Sequence, residues 1–167
     1  MSEGVVVGLA ERLISETDWA SYRMLTGGPA SGVGAVLQRL FASSDPESAT
    51  VESDALENEV AVQGNLYSAA EPAVRVLAAS LADPRPRWVM LSVLDLMFLI
   101  LSGYPVADEI ESGNGALLER CTSRVRESLW LIVRVAIDDA VCVRAALDVL
   151  EIVDEDGVAV GLVRSLR

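Results

Sequence analysis

Three stretches decide the fold: DPESATVESDAL at Asp45 to Leu56, DPRPRWVMLSVL at Asp83 to Leu94, and DDAVCVRAAL at Asp138 to Leu147. Each opens on an acidic, in two cases Pro-marked, turn and runs into a helix with a small-apolar/Leu signature, the pattern of a repeated helical hairpin. Asp83 follows Asp45 by 38 residues and Asp138 follows Asp83 by 55. The first interval is close to the roughly 40 to 47 of HEAT and armadillo-type units, and the second needs an insertion, which the stretch Ala107 to Gly115 supplies. The expected fold is all-α: a short HEAT/armadillo-like right-handed α-solenoid of about eight helices, one domain over 1–167 with a less regular N-terminal helix at 1–16. An irregular helical bundle is the alternative.

Outward from these stretches, apolar spacing places helices at Val5 to Ser15, from Thr17 or Asp18 through Trp19, Tyr22, Met24 and Leu25, and one capped by Ser31 that carries Val33, Val36, Leu37, Leu40 and Phe41. Others fall at Glu47 to Val62, Ala70 to Ala82 with Ser68 as cap, Trp88 to Leu101, Ala116 to Ile137, from Asp139 to Val153, and near Val158 to Leu166. Strand signals are nearly absent, and Gln63-Gly64-Asn65 reads as a helix stop. On the Glu47 to Val62 helix, Val51, Ala55 and Val62 fall on one side and Leu56 and Val60 on another, which predicts two packing neighbours. Glu47, Asp54 and Glu57 then share a free edge, with Glu52 and Glu59 on a different one. Ala107 to Gly115 is expected to be an exposed loop.

Composition narrows function. Of the 167 residues 51% are apolar, enough for a full core. The longest apolar run, Trp88 to Leu101, covers fourteen residues and contains Ser92 and Asp95; a membrane span needs about twenty. It is expected to be a buried central helix, with Asp95 either at the helix edge or paired to an arginine. A structural pair with Arg126 or Arg134 is the first reading and a functional contact on the concave side the alternative. MSEGVVVGLAERL puts Glu3 ahead of its apolar stretch with no basic leader, which argues against a secretory signal and for the cytoplasm. Cys121 and Cys142 lack CxxC spacing and read as small buried hydrophobes, a disulfide between them being disfavoured.

Histidine and lysine are absent, all thirteen cations being arginine. The usual general base, the commonest metal ligand and the Schiff-base lysine are therefore missing, and no catalytic residue, metal site or cofactor is expected. Paired carboxylates at Asp54 and Glu57, or at Asp108, Glu109 and Glu111, have no complementary nucleophile nearby. The net charge of −12 is uneven: between Arg39 and Arg75 lie seven acids and no base. Such a surface repels nucleic acid; it reads as ordinary solubilising charge, with a docking surface for a basic protein partner as the alternative.

Several of these residues also carry a family likeness. Asp18-Trp19, the small-residue turn before Val33 to Leu40, and Ala55-Leu56-Glu57 leading into Gln63-Gly64-Asn65-Leu66-Tyr67 and Glu71-Pro72-Ala73-Val74 form one set. With Leu118-Glu119-Arg120-Cys121, Val125-Arg126 and Val143-Arg144-Ala145-Ala146-Leu147, this set resembles the HEAT-repeat-like proteins common in actinobacteria. One departure is Val62, where such proteins often have a histidine. The resemblance implies an α-solenoid that binds another protein, and some small acidic members act as immunity partners of toxins. The expected function is thus a non-enzymatic binding module, an immunity or inhibitor protein that captures a cognate effector such as a basic toxin domain. The expected contact residues are Glu47, Asp54, Glu57, Glu59, Gln63, Asn65, Tyr67 and Glu109. A self-associating structural or regulatory scaffold is the alternative, so the chain is expected to be a monomer or a homodimer, without nucleic-acid or membrane partners. Alkyl-purine DNA glycosylases share the solenoid, but they need a basic groove, and Trp19, Trp88 and Trp130 are expected in the core.

Overall fold

The three signature stretches each lead into one helix of the same row. The structure, a computed structural model, describes residues 8–166. In it, α3 (Pro46–Val60) packs on α5 (Arg87–Leu101), and α5 packs on α9 (Val143–Val153). A second row lies behind the first: α2 (Val33–Phe41) backs α3, α4 (Ala70–Ser80) backs α5, and α7 (Leu117–Arg126) packs on α4, α5 and α9. The remaining helices are α1 (Leu9–Glu16) against α2 and α4, the single-turn α6 (Ala107–Glu111), and α8 (Leu129–Asp138) and α10 (Val158–Arg164), which pack on each other and on α9. The chain is predominantly helical. No helix among the described residues is long and apolar enough to cross a membrane.

Local chemistry explains the boundaries. Asp45 accepts a hydrogen bond from the Ser48 backbone N–H at 2.8 Å, and the Ser48 hydroxyl lies 3.4 Å from the Asp45 N–H, a capping box ahead of Pro46 at the first helical position. The same backbone bond, joined by one from Ser44, holds the Asp45 carboxyl below its ordinary range. Asp139 caps a short 3-10 turn before α9 by accepting from Val141 N–H at 3.0 Å. Between these turns sits Arg85, whose guanidinium is almost fully buried against the ring of Phe41 and bonds Glu11 at 2.8 Å, tying α1 to the second signature. The core formed by these rows is continuous from Ala10 to Val163, with Leu56, Leu94 and Leu147, the closing leucines of the three signatures, all inside it. Cys121 and Cys142 are buried free thiols, and burial, helped by nearby Glu71, pushes Cys121 up to about 12.

Several expectations need correction. The helix expected from Trp19 to Leu25 exists only as a 3-10 turn at Trp19–Ser21, because Tyr22 extends and Arg23 bridges to Pro29. The expected start of the first helix at Val5 lies outside the described residues. Neither Ser31 nor Ser68 caps a helix; the Ser68 hydroxyl instead accepts from Arg23 N–H at 2.8 Å. The long helix expected over Ala116 to Ile137 breaks at Glu127 and Ser128 into α7 and α8, which pack on different neighbours. Val51 stays 59% exposed, and α3 buries Ala49, Leu56 and Val60 instead. Trp19 is in the core and Trp88 half-buried, but Trp130 is 61% exposed.

Two more corrections bear on function. Asp95 lies on the solvent side of α5 and forms no salt bridge among the described residues; Arg126 pairs with Glu155, and Arg134 bonds the Leu81 carbonyl. The central helix is therefore open along one face. Gln63-Gly64 is a hairpin turn as well as a helix stop: β1 (Ala61–Val62) pairs antiparallel with β2 (Asn65–Leu66), and β3 (Tyr104–Pro105) adds parallel to β2. Gln63 and Gly64 take φ of 51° and 80°, the left-handed pair that a two-residue hairpin of matching twist requires.

Candidate functional site

α3 ends in the hairpin, so its outer stripe and the hairpin corner adjoin in the chain, and the predicted contact residues divide between them. On the stripe, Glu47, Val51, Asp54 and Asn58 are exposed and Glu57 is half-exposed. None of Glu47, Asp54 and Glu57 forms a salt bridge among the described residues. Glu52 points the other way and bonds Arg39 through both oxygens at 2.9 and 3.0 Å. Glu59 also leaves the free edge. It is half-buried, burial raises its pKa against the opposing charge of Arg39, and its Oε2 is buried without a hydrogen-bond partner.

At the corner, Gln63 is exposed at the turn, while Asn65 and Tyr67 are half-buried. Backbone bonds hold the three strands together: Tyr104 N–H donates to Gly64 O at 2.8 Å, and Val106 N–H donates to Leu66 O at 3.2 Å. Gly103 permits this approach. A Cβ there would lie 2.8 Å from both Gly64 O and Leu66 Cδ2, distances that the backbone can relieve only by separating β2 from β3. Gly103→Ala is therefore expected to cost about 1–3 kcal/mol, the usual range for overpacking, and to speed amide exchange at Tyr104 and Val106. Unchanged exchange at those two amides would contradict this account.

Glu109 corrects the expectation of an exposed loop at Ala107 to Gly115. The segment contains α6, and Glu109 is 1% exposed. Its Oε1 accepts from Ser68 N–H at 2.9 Å, and its Oε2 accepts from Asn114 Nδ2 at 2.7 Å and Arg23 Nη2 at 3.3 Å. Three segments distant in sequence thus meet on one carboxylate. Beside it lies a recess of about 280 Å³ between Arg23, Leu25, Tyr67, Val106 and Asp108. Glu109 is a strut behind this recess, and the groups that face outward are Asp108 and Tyr67.

Of the paired carboxylates considered for catalysis, Asp54 and Glu57 are on α3's outer stripe, and Asp108 and Glu111 are exposed on α6. In the Asp154-Glu155-Asp156 run, two side chains cap α10, Asp154 by accepting from Val160 N–H and Asp156 from Val158 N–H. Among the described residues, no group of three or more His, Cys, Asp or Glu side chains is placed to hold a metal ion. The site is a stripe of carboxylates without salt bridges among the described residues, beside the hairpin corner. Comparison with known proteins returns no matching family model, no matching curated protein and no matching solved structure.

Proposed function

We propose that this chain is a short right-handed α-solenoid of the HEAT type and works as a non-enzymatic protein-binding module. In its most concrete form it is an immunity or inhibitor protein that neutralises a cognate basic toxin or effector domain in the cytoplasm. The observation that carries this reading is the stripe of Glu47, Asp54 and Glu57, carboxylates without a salt bridge among the described residues. Desolvating ion pairs that are already made is costly, whereas an unpaired carboxylate gains a partner on binding. The solenoid part draws support from the two rows of helices and from the three signature stretches leading into successive helices of one row.

The test is co-production with the protein encoded beside this chain, whatever its identity, followed by association kinetics on the purified pair. The pair is expected to co-purify and to associate more slowly as ionic strength rises, and Glu47→Gln with Asp54→Asn and Glu57→Gln should lower the on-rate roughly tenfold. Failure to co-purify, or an on-rate indifferent to salt, counts against it.

A second reading, a scaffold that self-associates, is favoured by one observation. Trp130 and Ile137 on α8, and Val158 and Leu162 on α10, are large apolar side chains left exposed on helices that pack together. Light scattering separates the readings: a stable homodimer supports the scaffold, and a monomer leaves the acidic stripe free for another protein.

A further inference from the structure

α5 is apolar nearly all round, yet its neighbours cover only part of it. Residues 87, 88, 91, 92, 95, 98 and 99, with 102 just beyond the helix end, fall in one arc of about 140° at 3.6 residues per turn, and every one of them is at least partly open to solvent. Two bonds show what borders the arc. At one edge Arg87 Nε pairs with Asp139 at 2.5 Å, in the turn that starts α9. Toward the other edge Trp88 Nε1 donates to the Ser43 carbonyl at 3.1 Å, just ahead of α3. The open arc therefore lies between α3 and α9, and the outer stripes of the three helices form one face.

The centre of that face is apolar and its flanks are acidic. Phe98 is 43% exposed, with Leu91 and Leu99 partly exposed beside it. Glu47, Asp54 and Glu57 stand on the α3 side, and Asp148 and Glu151 on the α9 side. Cations on this face are already engaged: Arg144 pairs with Asp148 at 3.0 Å, Arg164 with Glu151 at 2.8 Å and Arg87 with Asp139. Asp95, in the apolar centre, has no salt bridge among the described residues. Burial, then repulsion from Asp148, raises its pKa, and a cation placed between the two carboxylates would remove that repulsion.

We propose that the outer face of α3, α5 and α9 is a docking surface for a polypeptide segment that carries apolar side chains flanked by lysine or arginine. Phe98 and Leu91 meet the apolar side chains, and Asp54 and Asp95 meet the cations. This rests on the protein-binding reading and moves the centre of contact from the α3 edge and the hairpin corner to the middle helix. A membrane or a nucleic acid fits this face poorly, because both are anionic.

The test titrates the full, isotope-labelled chain with a synthetic amphipathic Leu/Lys peptide, with a Leu/Glu peptide of the same length as control. Saturable shifts are expected on the exposed residues of α3, α5 and α9 with the Leu/Lys peptide alone, and Phe98→Ser and Asp95→Asn should each weaken binding at least about fivefold. Both positions are exposed, so thermal unfolding of the variants should match the parent; if Phe98→Ser does not fold, Asp95→Asn carries the test. Shifts centred on residues 63–67 or on Trp130 and α10, equal binding of the Leu/Glu peptide, absent binding, or full affinity in the folded variants would overturn the proposal. A toxin that binds both variants with undiminished affinity leaves the protein-binding reading standing and removes this surface. A toxin-like partner that fails to bind the parent while the Leu/Lys peptide maps to α5 does the reverse.

Discussion

Leu94→Ala is expected to cost about 3 kcal/mol of folding stability, within the roughly 2–5 kcal/mol seen when a buried leucine is truncated. Leu94 closes the second signature, is fully buried, and sits in the helix that packs on α3, α4, α7 and α9. The cavity left by truncation would be walled by helices of both rows, which cannot all close on it together, so the surroundings relax little. In a chain of this size about 1 kcal/mol moves the midpoint by roughly 2–4 °C, so thermal unfolding should begin about 6–12 °C lower. Urea unfolding should report the same loss with an unchanged slope. A loss under about 1 kcal/mol would mean that the site collapses freely and that α5 is not the axis of the packing.

Where a helix buries one stripe against one neighbour, residue spacing is enough to find it. Val33, Val36, Leu37, Leu40 and Phe41 are buried on α2, and Cys142, Ala146, Val149, Leu150 and Val153 are buried in and just before α9, as their spacing implies. Asp45-Pro46 was equally readable, since a cap and a proline at the first turn have a local cause. What could not be read depends on which neighbours exist. Val51 has the angle of a packing residue, but no helix lies on that side of α3, and angle alone does not reveal an absent partner. Asp95 suggested a buried pair for the same reason. The break at Glu127 and Ser128 contains neither glycine nor proline, and the stripe from Leu117 to Ala136 runs through it without a change of period. Strands of two residues are too short for alternation to register, so the hairpin at Gln63-Gly64 left no pattern beyond its glycine. The acidic stripe of the candidate site was visible as a charge run. The open face of α5 was not, because an apolar surface waiting for a partner and an apolar surface in a core have the same composition.

Glu109 is the strongest case of that difference, and its removal has the second large expected effect. On α6 the polar residue is inside and the apolar one outside: Glu109 is buried while Ile110 is exposed, the reverse of the amphipathic rule. The inversion follows from the groups waiting behind the helix, the Ser68 N–H, the Arg23 guanidinium and the Asn114 amide, which are donors that all converge on its oxygens. In Glu109→Ala the Ser68 N–H loses its partner in a partly buried setting, which costs about 1–3 kcal/mol, and two side-chain bonds to a charged acceptor go with it. Arg23 is half-exposed and can return to water, which limits the additional loss. The sum is expected to be about 3 kcal/mol, measured by urea unfolding. Glu109→Gln should cost less, since its carbonyl still accepts from Ser68, although its NH₂ faces the donors of Arg23 and Asn114. The damage should also be local: amide exchange should rise at Ser68 and Val106 before it rises in α4 or α5. A variant that loses stability uniformly, with no excess exchange at the corner, would show that Glu109 serves the core at large and not the site.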